Sequence, residues 1–254
     1  VSVASDGTQA NGQSGAPTIS DDGRFVAFES NATNLVANDT NGVNDIFRHD
    51  LWTGETVMVS VSSVFVAGNG DSNNPDITAD GGSVVFDSAA TNLVIGDSNA
   101  KRDVFIRNVS LSGTSRLSVT SANGQLTGDS ITPAITGGGR YVAFRSTTNQ
   151  IGSDTNNLPD IFVRDRTAET TERVSVTDGE ANANGQSNNP DISDDGRYVV
   201  FDSTGTNLVS GDTNSASACV EGSAPYSRSK QRTRSTRRRW SEAGVPTRRS
   251  RISW

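Results

Sequence analysis

The sequence is poor in the residue types that most often do chemistry. Its 254 residues hold one cysteine, Cys219, and one histidine, His49. Without a thiol before Cys219, disulfides, thiolate zinc sites and cysteine nucleophiles are excluded from most of the chain. No stretch approaches the roughly 20 apolar residues of a membrane-crossing helix. The chain starts at Val1 with neither Met nor a charged-then-apolar leader, which reads as a processed chain or an excised fragment. Aliphatic, aromatic and cysteine residues make up only 32%, so the core is thin for this length.

What is present is unevenly charged. Residues 1–214 carry 12 basic against 27 acidic side chains, a net of −15, whereas residues 215–254 carry 10 against 2, a net of +8. The overall −7 averages two unlike segments.

Self-similarity at a fixed period decides the fold reading. Pro17-Thr-Ile-Ser-Asp-Asp-Gly-Arg24 recurs in variant form from Pro75, Pro133 and Pro190, at spacings of 58, 58 and 57 residues. In each copy a short segment after the proline (A, Pro17–Ser20) leads through a turn to an apolar strand (B, Phe25–Ser30). A long polar loop, a strand (C, Asp45–Asp50), a second turn and a V-S-V strand (D, Val57–Val61) follow. Asp-Gly turns and β-branched residues leave little room for helix, and the near-continuous apolar B strands suit sheets covered on both faces. Four short antiparallel strands per repeat predict an all-β fold, the blades of a β-propeller. A β-solenoid is the competing architecture.

The pattern P-x-I-S-D-D-G-R-[FY]-V-[AV]-F-x-S, then D-I-F-V-R-D and V-S-V, resembles the WD-like repeats of TolB-type propellers, over residues 1 to about 214. The resemblance implies three complete blades, a partial fourth and an incomplete ring, with Val1–Val3 as the closing strand of a neighbouring blade. It also implies an extracytoplasmic, periplasmic or secreted protein. Unclosed blade edges are open to association.

The alternation of short and long connections puts the tight A–B and C–D turns on one face of the disc and the long B–C and D–A segments on the other. Binding belongs on the long-loop face. There Asp39, Asn41 and Asp45 recur as Asp97, Asn99, Asp103 and as Asp154, Asn156, Asp160. These oxygens suit a hard cation such as calcium; alternatively the first Asp and Asn of each set brace the loop by Asx turns and the last Asp begins strand C. The fourth copy has Asp212, Thr213 and Asn214 but Ala218 at the last position.

Serine hydrolysis needs a base beside the nucleophile, and His49 merely replaces the Arg of an Arg-Asp pair, at what reads as a surface position. The carboxylate pairs Asp21–Asp22 and Asp194–Asp195 lie in tight turns. The sequence therefore favours a non-catalytic binding or scaffold propeller whose partner is a protein or glycan; the alternative is a hydrolase, or hydrolase accessory, acting on peptides or carbohydrates. Nucleic acid is a poor partner for so acidic a body. From Ser215 the pattern stops and an Arg/Ser-rich segment runs to the end. A fifth proline is due at position 248, and back-translation permits a proline one base out of frame there, so the segment reads as a shifted frame, a disordered basic tail or an electrostatic arm.

Overall fold

The structure, a computed structural model, describes residues 1–37, 39–152, 154, 156–209 and 212, together with strand segments 218–223 and 239–240. All regular elements among them are strands, grouped in four antiparallel sheets of four. The first holds β1 (Ser14–Ile19), β2 (Phe25–Ser30), β3 (Asp45–Asp50) and β4 (Thr56–Met58); the second holds β5 (Ser72–Ile77), β6 (Ser83–Ser88), β7 (Asp103–Asn108) and β8 (Gly113–Arg116). The third holds β9 (Ser130–Ile135), β10 (Tyr141–Ser146), β11 (Asp160–Asp165) and β12 (Thr170–Arg173). The fourth holds β13 (Ser187–Ile192), β14 (Tyr198–Ser203), β15 (Ala218–Ser223) and β16 (Arg239–Trp240). The repeat is thus the blade, as the period predicts.

The fourth blade differs from expectation in its outer strands, which lie beyond residue 214. Ala218 pairs with Ser203 as Asp45 pairs with Ser30, so strand C keeps its register without its motif. Backbone pairing needs only aligned N–H and C=O groups, and side-chain pattern is not a requirement. The rest of the basic segment lies outside the described residues.

Each inner strand carries a bulge at its proline. Pairing with the B strand skips Ala16 and Pro17 in β1, and skips Asn74–Pro75, Thr132–Pro133 and Asn189–Pro190 in the other blades. Ala16, Asn74, Thr132 and Asn189 have φ of 44, 52, 49 and 48°. A proline has no N–H to give the ladder, so the bulge removes it from pairing and turns it to the axis. The four prolines line one axial cavity of about 330 Å³.

The sheets stack face to face. Ala27, Ile46 and Val59 of the first blade share a core with Ile77, Val84 and Phe86 of the second, and Ala143, Ile161 and Val163 of the third with Ile192, Val199 and Phe201 of the fourth. Both faces of an internal sheet are buried, which explains the near-continuous apolar B strands. Within a blade, in-register aromatics on strands B and C stack at 5.8–5.9 Å: Phe28 on Phe47, Phe86 on Phe105 and Phe144 on Phe162.

Polar contacts stitch neighbouring blades. Thr56, Thr114 and Thr171 each donate a 2.6 Å hydrogen bond to the carbonyl of Val3, Val61 and Val119. Val3 therefore stands against the first blade as Val61 stands against the second, as the closing-strand reading of Val1–Val3 expects. Asp76 accepts from Thr18 in the blade before it and from the Ile135 amide in the blade after it. Among the described residues, no further sheet covers the outer faces of the end blades. Ile19 is 55% exposed where Ile77, Ile135 and Ile192 are at most 8%, and Tyr198 is 40% exposed where Tyr141 is 5%.

Candidate functional site: the carboxylate loops of the long-loop face

The tight-turn face is explained by turn chemistry. Asp22 accepts from the Ser20 hydroxyl at 2.6 Å and the Arg24 amide at 2.9 Å, and these bonds hold its carboxyl below the usual range. Gly23 follows at φ +71°, a conformation that favours glycine. Asp80 and Asp195 repeat the arrangement, so these carboxylates are committed to turns.

On the opposite face the D–A segments lie against the B–C loops, as the strand alternation predicts. Asn11 bonds Thr33 and Asn34; Asn69 bonds Thr91 and Asn92; Asn184 bonds Thr206 and Asn207. Leu35, Leu93 and Leu208 of the T-N-L-V segments are buried beneath. The long loops form a fixed polar lattice over an apolar floor.

Within that lattice the last Asp of each predicted set sits at the mouth of strand C, fully buried. Asp45, Asp103 and Asp160 accept from Ser60, Ser118 and Ser175 at 2.6, 2.5 and 2.6 Å. Each serine oxygen in turn accepts from the amide after the aspartate, at Ile46, Val104 and Ile161. This clamp ties the start of strand C to the end of strand D. Burial pushes the Asp45 carboxyl up to about 6, and raises those of Asp103 and Asp160 too, against the pull of the serine hydroxyls.

The asparagines brace the loops. Asn41 donates to Asp45 at 2.6 Å and to the Gly68 carbonyl at 2.9 Å, and Asn99 to Asp103 at 3.0 Å and to the Leu126 carbonyl at 2.8 Å. Asn156 donates to the Ala183 carbonyl. Their side-chain oxygens accept from backbone two residues on, at Val43, Lys101 and Leu158, as Asx turns do.

The first aspartates differ between blades in what faces them. Arg116 Nη1 lies 3.4 Å from Asp97 and 3.5 Å from Asp103, and Arg173 Nη1 lies 3.3 Å from both Asp154 and Asp160. The strand-D register puts Met58 at that place in the first blade: Met58 pairs with Phe47 as Arg116 pairs with Phe105 and Arg173 with Phe162. Asp39 is 7% exposed, burial raises its carboxyl, and its Oδ1 has no hydrogen-bond partner. Among the described residues no basic side chain pairs with Asp39 or Asp45. Thr213 and Asn214 of the fourth set lie outside the described residues.

His49 is buried at 6% exposure, which corrects the surface position read from sequence; the Val3 segment lies beside it through Thr56. Its Nδ1 is 2.8 Å from Thr56 Oγ1. The Thr56 proton goes to the Val3 carbonyl, which assigns Nδ1 as the donor. Arg107 and Arg164 donate to Thr114 and Thr171 in the same place. Burial lowers the affinity of the imidazole for a second proton. The axial cavity is lined by Ala16, Asn74, Thr132, Asn189 and the four prolines, none of them an acid or a base. Among the described residues no three His, Cys, Asp or Glu side chains converge to hold a metal unaided, and no helix is long and apolar enough to cross a membrane.

The tricorn protease aligns over 82% of this chain and 21% of its own, at 9% identity and a TM-score of 0.50. The chain folds as a β-propeller. TolB from Acinetobacter baumannii aligns over 83% of this chain and 41% of its own, at 16% identity and TM-score 0.49. The propeller domain of the Trilobed protease from Pyrococcus furiosus, described as having an open velcro topology, aligns over 90% of this chain and 57% of its own, at 8% identity and TM-score 0.49. The propeller thus spans between about a fifth and three-fifths of these proteins' lengths. No protein-family model and no protein of curated function matches the sequence.

Proposed function

We propose that the propeller is a non-catalytic, extracytoplasmic binding or scaffold module that meets a protein or glycan partner through its long-loop face. The observation that carries this reading is the long-loop face itself, where Asn11, Asn69 and Asn184 tie the D–A segments to the B–C loops in three blades. His49 is engaged with Thr56 and the turn carboxylates are engaged by their own loops. The polar lattice of Asn, Thr and Asp side chains, held by rigid strands, supports recognition at that face. The thiol-free body and the TolB-like blade pattern support an extracytoplasmic location. The open end blades support association with a second copy of the chain, Tyr198 of one copy packing over the Gly23 turn of another, where the space beside the glycine α-carbon is empty.

A screen of peptide and glycoside substrates beside a glycan and peptide binding screen tests the reading. Saturable binding without turnover is expected, and turnover abolished by a single carboxylate substitution would overturn it. Sedimentation of wild type and Tyr198→Glu tests the association: a concentration-dependent dimer lost in the variant is expected, and monomers throughout would remove it.

A further inference from the structure

Three blades offer the same pair of buried carboxylates at the mouth of strand C, and two of them answer it with an arginine. In the second and third blades one guanidinium nitrogen lies within 3.5 Å of both members of the pair. In the first blade the strand-D position that supplies this arginine is Met58, whose side chain brings no charge. Asp39 and Asp45 nevertheless keep their places: Asp45 is held by Ser60 and Asn41, and Asp39 is more than nine-tenths buried with Oδ1 unpartnered, like one oxygen each of Asp97 and Asp154, but without the arginine that faces those two. Two anions brought together out of water without a countercharge are costly, and the sibling blades show what the geometry is built around.

We propose that the first blade binds a divalent cation, calcium or magnesium, between Asp39 and Asp45, in the place that Arg116 and Arg173 fill in the next two blades. Oxygen-only ligation suits a hard cation, and two carboxylates leave the remaining coordination positions to water and backbone carbonyls. A site with so few charges binds weakly, in the range of roughly 0.1 to 1 mM typical of extracellular modules. Asn41 is not a ligand, because its amide nitrogen faces Asp45 and its oxygen takes the Val43 amide. Of the nine residues that the loop motif nominates, Asp39 and Asp45 alone remain as ligands. Asp97, Asp103, Asp154 and Asp160 belong to internal ion pairs, and Asn99 and Asn156, like Asn41, to loop bracing.

Substitution between blades provides the test. The full-length chain is melted in calcium, magnesium or potassium chloride at equal ionic strength, as wild type, Met58→Arg and Arg116→Met. Wild type is expected to gain several degrees in Tm from millimolar calcium or magnesium and nothing from potassium, since ligand bound only to the folded state raises stability. Met58→Arg supplies the charge from within, so its Tm in potassium rises above wild type and its response to divalent cations disappears. Arg116→Met is expected to lower Tm in potassium and to enlarge the divalent response by opening a second site. Calorimetric titration with calcium chloride should show about one site in wild type and none in Met58→Arg. A wild-type chain indifferent to divalent cations, or an equal response in wild type and Met58→Arg, would overturn the proposal.

Discussion

Asp45 Oδ1 accepts a 2.6 Å hydrogen bond from Ser60 Oγ, fifteen residues away in sequence and fully buried. The same pair recurs as Asp103 with Ser118 and Asp160 with Ser175, and each serine also receives a strand-C amide. Removing the hydroxyl leaves a buried carboxylate and a buried N–H each short of a partner. Ser118→Ala is therefore expected to cost about 1–3 kcal/mol by chemical denaturation. An unchanged denaturation midpoint would show that the clamp is not a source of stability.

Aromatic residues at the start of strand B pack onto the glycine turn of the following blade. A Cβ on Gly81 would overlap the Phe25 ring, and one on Gly196 would overlap the Tyr141 ring. Gly81 also has φ +66°, which L side chains rarely adopt. Gly81→Ala is expected to destabilise the chain by about 1–3 kcal/mol. Part of that loss should vanish in a Phe25→Ala background, because the overlap is gone and the two effects are coupled. Strict additivity in the double-mutant cycle would mean that the blades do not meet there.

Charge on Asp50 makes stability depend on acid. Arg24 holds the Asp50 carboxyl far below its ordinary range, with hydrogen bonds at 2.6 to 3.1 Å. A depressed folded-state pKa gives stability that is complete above the unfolded value, near pH 4, and is lost as the pH falls through the folded one. Asp50→Asn keeps an oxygen for the Trp52 amide and removes the charge together with the Oδ2 acceptor that Arg24 uses. Its Tm should fall below wild type at pH 7, and the gap should narrow steadily below about pH 4. A gap independent of pH would contradict the ion-pair account.

His49 does the work of an arginine. His49→Arg restores the donor that Arg107 and Arg164 supply to their threonines, and is expected to hold stability. His49→Ala leaves Thr56 with an acceptor unmet and should lose about 1–2 kcal/mol. Binding of a partner at the long-loop face should be indifferent to both changes; its loss in His49→Arg would give the imidazole a role beyond packing.

The blades were legible in the sequence because their landmarks answer backbone needs. A proline excluded from the ladder, an Asp-Gly turn and an apolar B strand recur at one period, and each has a single structural use. The division of the disc into tight-turn and long-loop faces followed from strand alternation, and the Asn69–Thr91 and Asn184–Thr206 contacts show it. The difference between the carboxylate sets was also written in the sequence, in the residue before V-S-V, L-S-V and V-S-V: Met58, Arg116 and Arg173. It becomes readable only when strand D is known to lie beside the loop mouth, because those arginines are 19 residues from the first aspartate they meet. Strand C alone gives His49 the pattern of an exposed position; the Val3 segment beyond Thr56, distant in sequence, is what lies beside it in the fold. The outer strands of the fourth blade carry no repeat motif, and a ladder of backbone bonds leaves no side-chain pattern to read.

Ala16 and Asn189 line the same axial cavity although they belong to the first and fourth blades, which requires the four sheets to turn about one axis. Spin labels at Ala16→Cys and Asn189→Cys, in a chain with Cys219→Ser, report that separation directly by pulsed electron resonance. Sheets stacked in a line about 10 Å apart would hold the first and fourth about 30 Å from each other. A single distance well below that value is predicted, and a distance near or beyond it would contradict the ring.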